Sequence, residues 1–194
     1  VSDIVTDALT AFNMTADQAG RFADVLAQAS SNSNTNVAMM GATFQKVAPV
    51  AGALGYSVED VSLAIGLMAN ASIKSEVAGT SLKTALANMA KPTKQMKEYM
   101  DKYGISLTNA DGSMKSFREV VDNLRSSLGG LSETEQVAAA TAIFGKESFA
   151  GMLAIVNASE ADFQKLSDSV NNSAGAAERM AQIKLDNFQG KVTL

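Results

Sequence analysis

The chain has 194 residues, enough for one domain or two small ones with a buried core. It carries 16 basic and 20 acidic residues, and the net charge of −4 disfavours non-specific nucleic-acid binding, which needs a basic surface to displace counterions. Cysteine and histidine are both absent. Disulfides, thiolate nucleophiles, histidine general bases and metal sites built from either residue are therefore excluded.

The composition favours a mostly helical protein. Apolar residues make up 46% of the chain and aromatic residues only 6%, and the two prolines are Pro49 and Pro92. Abundant alanine, leucine, methionine, lysine and glutamine are typical of closely packed helices. No apolar run reaches the ~20 residues of a membrane span. No secretory signal pattern opens the sequence, and because it begins mid-pattern we expect a domain excised from a longer chain.

The clearest helical pattern lies at residues 37–54. Apolar residues recur there at steps of three and four, which places one apolar stripe along one side of a helix. The stripe consists of Val37, Met40, Phe44, Val47, Ala51 and Leu54. Gly55 ends this helix, and Ser57 caps the next one, with Asp60 in its first turn. Two helices joined this closely are expected to bury their stripes against each other.

Further helices are predicted on both sides of this pair. They cover residues 2–12 (with Ile4 on the apolar face), 15–29, 78–90, 93–103, 116–128, 132–144, 146–157, 159–170 and 174–194. Capping boxes mark three of the starts, since a serine or threonine is followed three residues later by glutamate or glutamine. These boxes are Thr15 with Gln18, Ser116 with Glu119, and Ser132 with Glu135. Pro92 and Gly145 mark helix ends.

Residues 105–117 break the helical period. Apolar and polar residues alternate on both sides of Asp111 and Gly112, and this dipeptide tolerates the positive φ angles of a tight hairpin turn. We therefore predict a small two-stranded β-hairpin packed on helices. The pattern Asn109-x-Asp111-Gly112 is also similar to part of a calcium loop. It lacks the first acidic ligand and the distal glutamate, so a turn is the favoured interpretation.

The predicted fold is mainly α: a multi-helix bundle of antiparallel helical hairpins with one small β-hairpin near residues 105–117. We expect residues 1–194 to form a single helical domain. A subdivision is possible, with helical hairpins in 1–91, a helix, the β-hairpin and a helix in 92–131, and the C-terminal helices in 132–194.

No constellation of residues in the sequence indicates catalysis. A Gly-x-Ser-x-Gly turn, a Ser-x-x-Lys pair and a Gly-x-Gly dinucleotide turn are all missing. The paired acidic residues fall in first helical turns, where negative charge complements the helix dipole, so an electrostatic role is favoured over acid–base chemistry. They are Glu59, Asp60, Glu133, Glu135, Glu160 and Asp162. We therefore predict no catalytic, cofactor-binding or metal-binding residues.

Two other residue types are assigned to packing and solvent. Lysines recur between residues 91 and 102, at Lys91, Lys94, Lys97 and Lys102. In an acidic chain, and with no aromatic residue alternating at the surface, they predict a solvated face rather than a nucleic-acid site. The ten methionines mostly fall on or beside apolar stripes. Core packing is favoured for them, and an adaptable partner groove is the alternative.

Four stretches of the sequence, each weak by itself, are informative through their order and spacing along the chain. The longest is VAPVAGALGYSVEDVSLAIGLMANASIKSEVAGTSLKTAL, from Val47 to Leu86. The others are Gly104-Ile105, Asp111-Gly112 and Ile143-Phe144-Gly145. In this order and spacing, they resemble the core domain of phage tail tape measure proteins, the TP901-like family, over nearly the whole chain.

This resemblance implies a non-enzymatic structural and assembly domain of a phage or prophage tail. A tape measure protein is the long helical protein around which tail tube subunits polymerise; its length sets tail length, and it leaves the tail during DNA ejection. The implied partners are the tail tube protein, tail assembly chaperones, tail tip proteins and further copies of the same protein. The implied location is the tail lumen of the virion, and the host cytoplasm during assembly. No cofactor and no specific nucleic acid are implied.

Two other function classes stay open at this point. A lytic enzyme would need two carboxylates facing each other across a cleft at roughly 5–9.5 Å. A membrane-active helical bundle would open and insert its apolar faces into lipid. For the assembly function, we expect the stripe at 37–54 and the helix at 174–194 to contribute to self-association or to helix extension in the parent protein.

Overall fold

The computed structural model describes residues 2–192, with side chains from residue 5 to residue 191. This part of the chain contains eleven α-helices, which confirms the mainly helical fold. They are α1 (Ser2–Ala11), α2 (Ala19–Ser31), α3 (Val37–Ala53), α4 (Val58–Asn70), α5 (Ser75–Ala90), α6 (Lys94–Tyr103), α7 (Phe117–Leu128), α8 (Glu133–Phe144), α9 (Phe149–Val156), α10 (Glu160–Asn171) and α11 (Ala176–Val192). The predicted apolar side chain of Ile4 and the predicted helical residues 193–194 lie outside the described part.

Most helix starts use the polar side chains that the sequence predicts. The Oγ atom of Ser57 accepts the backbone N–H of Asp60 at 3.1 Å, which satisfies a donor that a helix start leaves unpaired. The capping boxes at Ser116 and Ser132 are confirmed, and Thr93, Ser159 and Asn36 cap their helices. The box of Thr15 with Gln18 also forms, since Oε1 of Gln18 accepts the backbone N–H of Thr15 at 2.9 Å, but it opens a short 3-10 helix, Ala16–Gln18, before α2 begins.

Helix α4 lies at the centre of the bundle. Every residue from Val61 to Ala69 is buried, so no face of this helix is left for solvent. A helix that is apolar all round must be surrounded by other elements. Helices α2, α3, α5, α7, α9 and α10 all contact it. The surrounding cluster of buried apolar side chains extends from Ala8 in α1 to Val170 in α10.

Helix α3 packs mainly against α5 and α1, and only slightly against α4, which follows it in the chain. The predicted burial of the α3 and α4 stripes against each other is therefore a minor contact. Glycines explain the preference because they let two backbones approach closely. A Cβ on Gly79 of α5 would lie 2.7 Å from the Cβ of Lys46, and one on Gly52 of α3 would lie 1.8 Å from the carbonyl oxygen of Ala11.

The prediction of a β-hairpin near residues 105–117 is wrong. Thr108 and Met114 form an isolated antiparallel bridge, and residues 2–192 contain no strand. The turn itself forms, with Gly112 at a φ of +86°. The carboxylate of Asp111 accepts both the backbone N–H of Ser113, at 2.9 Å, and its hydroxyl, at 2.6 Å. Such local bonds occupy backbone groups that a longer ladder would need, so pairing stops after one bridge.

Side chains from distant helices satisfy the carbonyl groups at several helix ends. The guanidinium of Arg125 on α7 donates to the carbonyl oxygens of Ile155, at 2.8 Å, and Ala158, at 2.9 Å, at the end of α9. The amides of Gln136 and Asn88 donate to the last carbonyl oxygens of α7 and α8, both at 2.9 Å. These bonds stabilise helix ends only when the partner helix is in place.

Substituting Gly52 by alanine should separate α1 from α3, because the new methyl would overlap the backbone of Ala11. Overpacking of this kind lowers the free energy of unfolding by about 1–3 kcal/mol or more. Urea unfolding followed by circular dichroism measures the loss. Gly20→Ala is the matched control, since no atom lies within 4 Å of its added Cβ. Equal effects of the two substitutions would contradict the close α1–α3 contact.

Candidate interaction surface

Glu59 and Asp60, the first of the paired acidic candidates, lie at the start of α4 and accept hydrogen bonds from residues of other helices. The carboxylate of Glu59 accepts two hydrogen bonds from the guanidinium of Arg21, both at 2.6 Å. The carboxylate of Asp60 accepts the backbone N–H of Arg118 at 3.1 Å. Burial raises the pKa of Asp60, and its hydrogen bonds with Arg118 and Ser57 oppose that rise. The pair therefore ties α4 to α2 and α7.

The other acidic candidates also serve helix starts. Hydrogen bonds from Ser132 lower the pKa of Glu135, which closes the capping box of α8. Glu160 lies 3.4 Å from Arg125, measured between Oε2 and Nη2. Glu133 and Asp162 lie in the first turns of α8 and α10. In the part of the chain that the structure describes, no group of three or more acidic residues is arranged to hold a metal ion.

The lysine prediction agrees with the observed positions, and the methionine prediction holds for five of the ten methionines, whereas Met39 and Met114 are exposed. All four lysines between 91 and 102 are exposed, and Lys97 pairs with Asp101 at 3.0 Å on the same helix. Lys102 lies 5.2 Å from the ring centroid of Tyr103. The buried methionines that fill the core are Met40, Met68, Met89, Met100 and Met152.

Most of the α3 stripe, one of the two predicted association surfaces, is buried inside the bundle, although Val37 is 36% exposed and Leu54 is half-buried. Met40, Phe44, Val47 and Ala51 are fully buried. The ring of Phe44 meets that of Phe22 edge-on, with 5.2 Å between centroids. Helices α1, α2 and α5 pack against α3 and cover the stripe. The prediction that this stripe is available for self-association is therefore wrong.

The second predicted association surface, on α11, is exposed. All side chains from residue 181 to residue 191 are exposed, among them three large apolar ones. Ile183 is 60% exposed, Leu185 56% and Phe188 68%. Leu185 and Phe188 lie on one side of the helix and are called the α11 surface, whereas Ile183 lies about 200° round the helix from Leu185, on the opposite side. Leu185 and Phe188 continue a stripe from Ala181 at steps of four and three, the spacing of a helix that packs against another helix.

A groove of about 590 Å³ lies beside the joint between α10 and α11. Arg21, Asp24, Glu59, Val170 and residues 171–174 line it. The two oxygens of Asp24 accept the backbone N–H groups of Gly175, at 2.9 Å, and Ala177, at 3.0 Å. No local pattern in the sequence indicates this role of Asp24, because its partners lie 151 and 153 residues further along the chain.

A second, polar groove of about 320 Å³ lies on another part of the bundle. Its lining residues are Ser31, Asn32, Ser33, Asn70, Asp162 and Lys165. Several of these polar groups already bind backbone within the bundle. The side chain of Asn70, for example, accepts the backbone N–H of Asn34 at 2.9 Å. These bonds fit a role in joining the helix ends.

Tyr56, Ser62 and Ser148 place hydroxyl groups in the core that lack a hydrogen-bond partner among the described residues. Tyr56 is 4% exposed and packs its ring 4.7 Å from that of Phe117, between centroids. Burial raises the pKa of Tyr56 to about 12. The ring is therefore a packing element whose hydroxyl stays protonated at neutral pH.

Comparison with known proteins identifies the family. Residues 1–145 match the family model described as phage-related minor tail protein. The chain belongs to this family. It is 38% identical over 191 residues, 98% of its length, to the tape measure protein of Pneumococcus phage Dp-1. It is 24% identical over 184 residues, 93% of its length, to the probable tape measure protein of Escherichia phage P2.

The family membership confirms the resemblance found in the sequence and makes the chain a structural component of a phage tail. The chain spans 17% and 23% of the lengths of these two relatives. No solved structure shows significant similarity to it. Among the described helices, none combines the length and apolar character needed to cross a bilayer.

Replacing Tyr56 by phenylalanine tests its assignment as a core residue. At neutral pH, removing an unpaired buried hydroxyl should keep or raise stability by up to about 1 kcal/mol. The unfolded tyrosine ionises near pH 10 and the folded one near 12. The wild type should therefore lose stability as pH rises from 10 to 12, and the variant should lose less.

The urea midpoint at pH 7 and at pH 11 measures this difference. Tyr99→Phe, which removes a half-buried hydroxyl, is the control and should keep the alkaline loss of the wild type. An equal alkaline loss in wild type and Tyr56→Phe would contradict the assignment.

Proposed function

We propose that this chain is a non-enzymatic structural and assembly domain of a phage tail tape measure protein. It helps to set tail length and to assemble the tail tube, and it leaves the tail during DNA ejection. The observation that carries the proposal is the match of residues 1–145 to the minor tail protein family, together with similarity to two tape measure proteins. The helical fold and the helix-start roles of the acidic residues support it.

The partners of this function are the tail tube protein, tail assembly chaperones, tail tip proteins and further copies of the same protein. The domain acts in the tail lumen of the virion, and in the host cytoplasm during assembly. The single-domain arrangement of this proposal is supported by one cluster of buried side chains that includes residues from Ala8 to Val170. The subdivisions at 1–91, 92–131 and 132–194 all contribute to that cluster.

Self-association uses the α11 surface, and the partner is a second copy of the chain. Burying an exposed phenylalanine or leucine contributes about 1.5–3 kcal/mol. The polar side chains that flank the stripe favour a parallel pair of α11 helices. In a parallel pair, Lys184 of one copy lies beside the neutral Gln189 of the other copy. In an antiparallel pair, Lys184 of one copy lies beside Lys191 of the other, and the two positive charges repel each other.

Tail length in a phage that lacks these residues tests the proposed function. An in-frame deletion of the 194 residues should give shorter tails or no tails, as seen by electron microscopy. A fully extended helix of this length would span ~290 Å, whereas a folded domain is ~40 Å across. Tails shortened by about 290 Å indicate that the domain is an extended segment of the ruler. Loss of tails indicates that it is a folded assembly module.

The control is the same phage supplied with the complete protein in trans, which should restore normal tails. Infectious phage with tails of unchanged length after the deletion would contradict the proposed function.

Phe188→Asp tests the α11 surface in the 194-residue chain. A carboxylate in the apolar stripe should weaken self-association by at least about tenfold, because it removes apolar burial and adds a charge to be desolvated. Sedimentation velocity across a concentration series measures the association constant. Val77→Asp is the matched control, since Val77 on α5 is 70% exposed and Phe188 68%. Equal weakening by both substitutions, or a strictly monomeric wild type, would contradict this use of the surface.

A further inference from the structure

Helix α11 leaves the bundle after its first turns. Ala176 is buried, Ala177 and Met180 are half-buried, and every side chain from 181 to 191 is exposed. Helix α2 is the element on which α11 packs. Hydrophobic contact therefore fixes only one end of a 17-residue helix, and the direction of the rest depends on the contacts at that end.

Asp24 on α2 supplies the polar part of that attachment. One carboxylate oxygen accepts the N–H of Gly175 and the other accepts the N–H of Ala177. Both N–H groups belong to the start of α11, where the helix dipole favours negative charge. Hydrogen bonds to a carboxylate are roughly twice as strong as neutral ones, and two of them from one group also fix orientation. A cap supplied by another helix thus sets the direction in which α11 begins.

The neighbouring ion pair leaves Asp24 available for this role. Arg21 lies one turn before Asp24 on α2, a spacing at which arginine and aspartate side chains can pair. The Nε and Nη2 atoms of Arg21 instead donate to the two oxygens of Glu59 on α4. The strongest nearby competitor for the Asp24 carboxylate is therefore bound elsewhere.

The segment between α10 and α11 has the features of a joint. Gly175 has a φ of +77°, a conformation that residues with a Cβ rarely adopt. A Cβ there would also lie 2.9 Å from Nη1 of Arg179. The groove of about 590 Å³ runs beside residues 171–174, with Arg21 and Asp24 on α2 and Glu59 on α4 also lining it. Once the bonds to Asp24 are broken, rotation at this joint is opposed by the packing of the first turns of α11 on α2 and by the hydrogen bond from Arg179 to the carbonyl oxygen of Ala174, at 3.0 Å.

We propose that Asp24 is a clasp that holds α11 in one direction relative to the bundle, with residues 172–175 as the hinge. With these bonds in place, α11 presents Leu185 and Phe188 in a fixed orientation. Without the clasp, the helix stays folded but swings about Gly175. The use of that orientation by a second copy depends on the proposed function, whereas the clasp itself does not.

Distances between two spin labels measure the direction of α11. The chain has no cysteine, so Asn187→Cys on α11, outside the α11 surface, and Lys83→Cys on α5 give one labelled pair, diluted in excess unlabelled chain so that distances within one copy are measured. In this background we expect a single narrow distance distribution by double electron–electron resonance. Asp24→Ala should make the distribution at least roughly twofold wider, since both charge-assisted bonds are lost.

Two further variants make the result specific to the clasp. Asp24→Asn keeps the shape but turns an amide N–H₂ toward one of the two backbone donors, so an intermediate width is expected. Asp7→Asn removes a carboxylate from the exposed face of α1 and should leave the width unchanged. Circular dichroism confirms that each variant is folded. If Asp24→Ala does not fold, Asp24→Asn gives the answer.

A distance distribution of unchanged width in a folded Asp24 variant would overturn the proposal. A broad distance distribution in the labelled chain that keeps Asp24 would also overturn it. Both readouts come from the isolated chain. They are therefore independent of tail assembly, and a phage with normal tails after the deletion would leave the clasp intact while contradicting the proposed function.

Discussion

Burial of α4 on every side is the constraint on which the rest of the structure depends. A helix with no polar face must be enclosed, and the enclosing helices come from both halves of the chain: α2, α3 and α5 from the first, α7, α9 and α10 from the second. Gly66 shows how close the enclosure is, because a Cβ there would lie 3.1 Å from the methyl groups of Leu166 on α10. The centre of the bundle is therefore complete only when residues 160–171 have joined it.

Polar contacts between distant helices reinforce this dependence. Arg125 bonds the end of α9 and also lies 4.5 Å from the ring centroid of Phe163, while Arg118 lies 4.4 Å from the same centroid. A guanidinium over an aromatic face contributes about 0.5–2 kcal/mol, more when it is shielded from water. Because Asp60 in turn accepts the N–H of Arg118, α4, α7, α9 and α10 form one connected polar and aromatic network. We expect these helices to unfold together.

Local chemistry made part of this fold predictable and long-range packing hid the rest. Ser57, Ser116, Ser132 and Ser159 start helices as predicted, because a cap needs only residues three positions away. The turn at Asp111 and Gly112 was predicted correctly because it depends on local residues. The β-hairpin prediction failed because the number of paired residues also depends on side chains that compete for the backbone hydrogen bonds. The α11 surface was visible as a pattern. The burial of the α3 stripe and the bonds of Asp24 were not, since both depend on partners that no sequence spacing reveals.

Because α11 is long, a small rotation at its attachment to Asp24 produces a large displacement at its other end. Seventeen helical residues span about 26 Å. A rotation of about 10° at Gly175 would therefore displace the far end of the helix by about 4 Å, nearly one helical turn. This sideways displacement is about half of the roughly 8–10 Å that separates the axes of two packed helices, so it would move the far ends of two paired α11 helices out of contact. Under the proposed association of copies through the α11 surface, their alignment depends on one carboxylate, at the opposite end of the helix from Phe188.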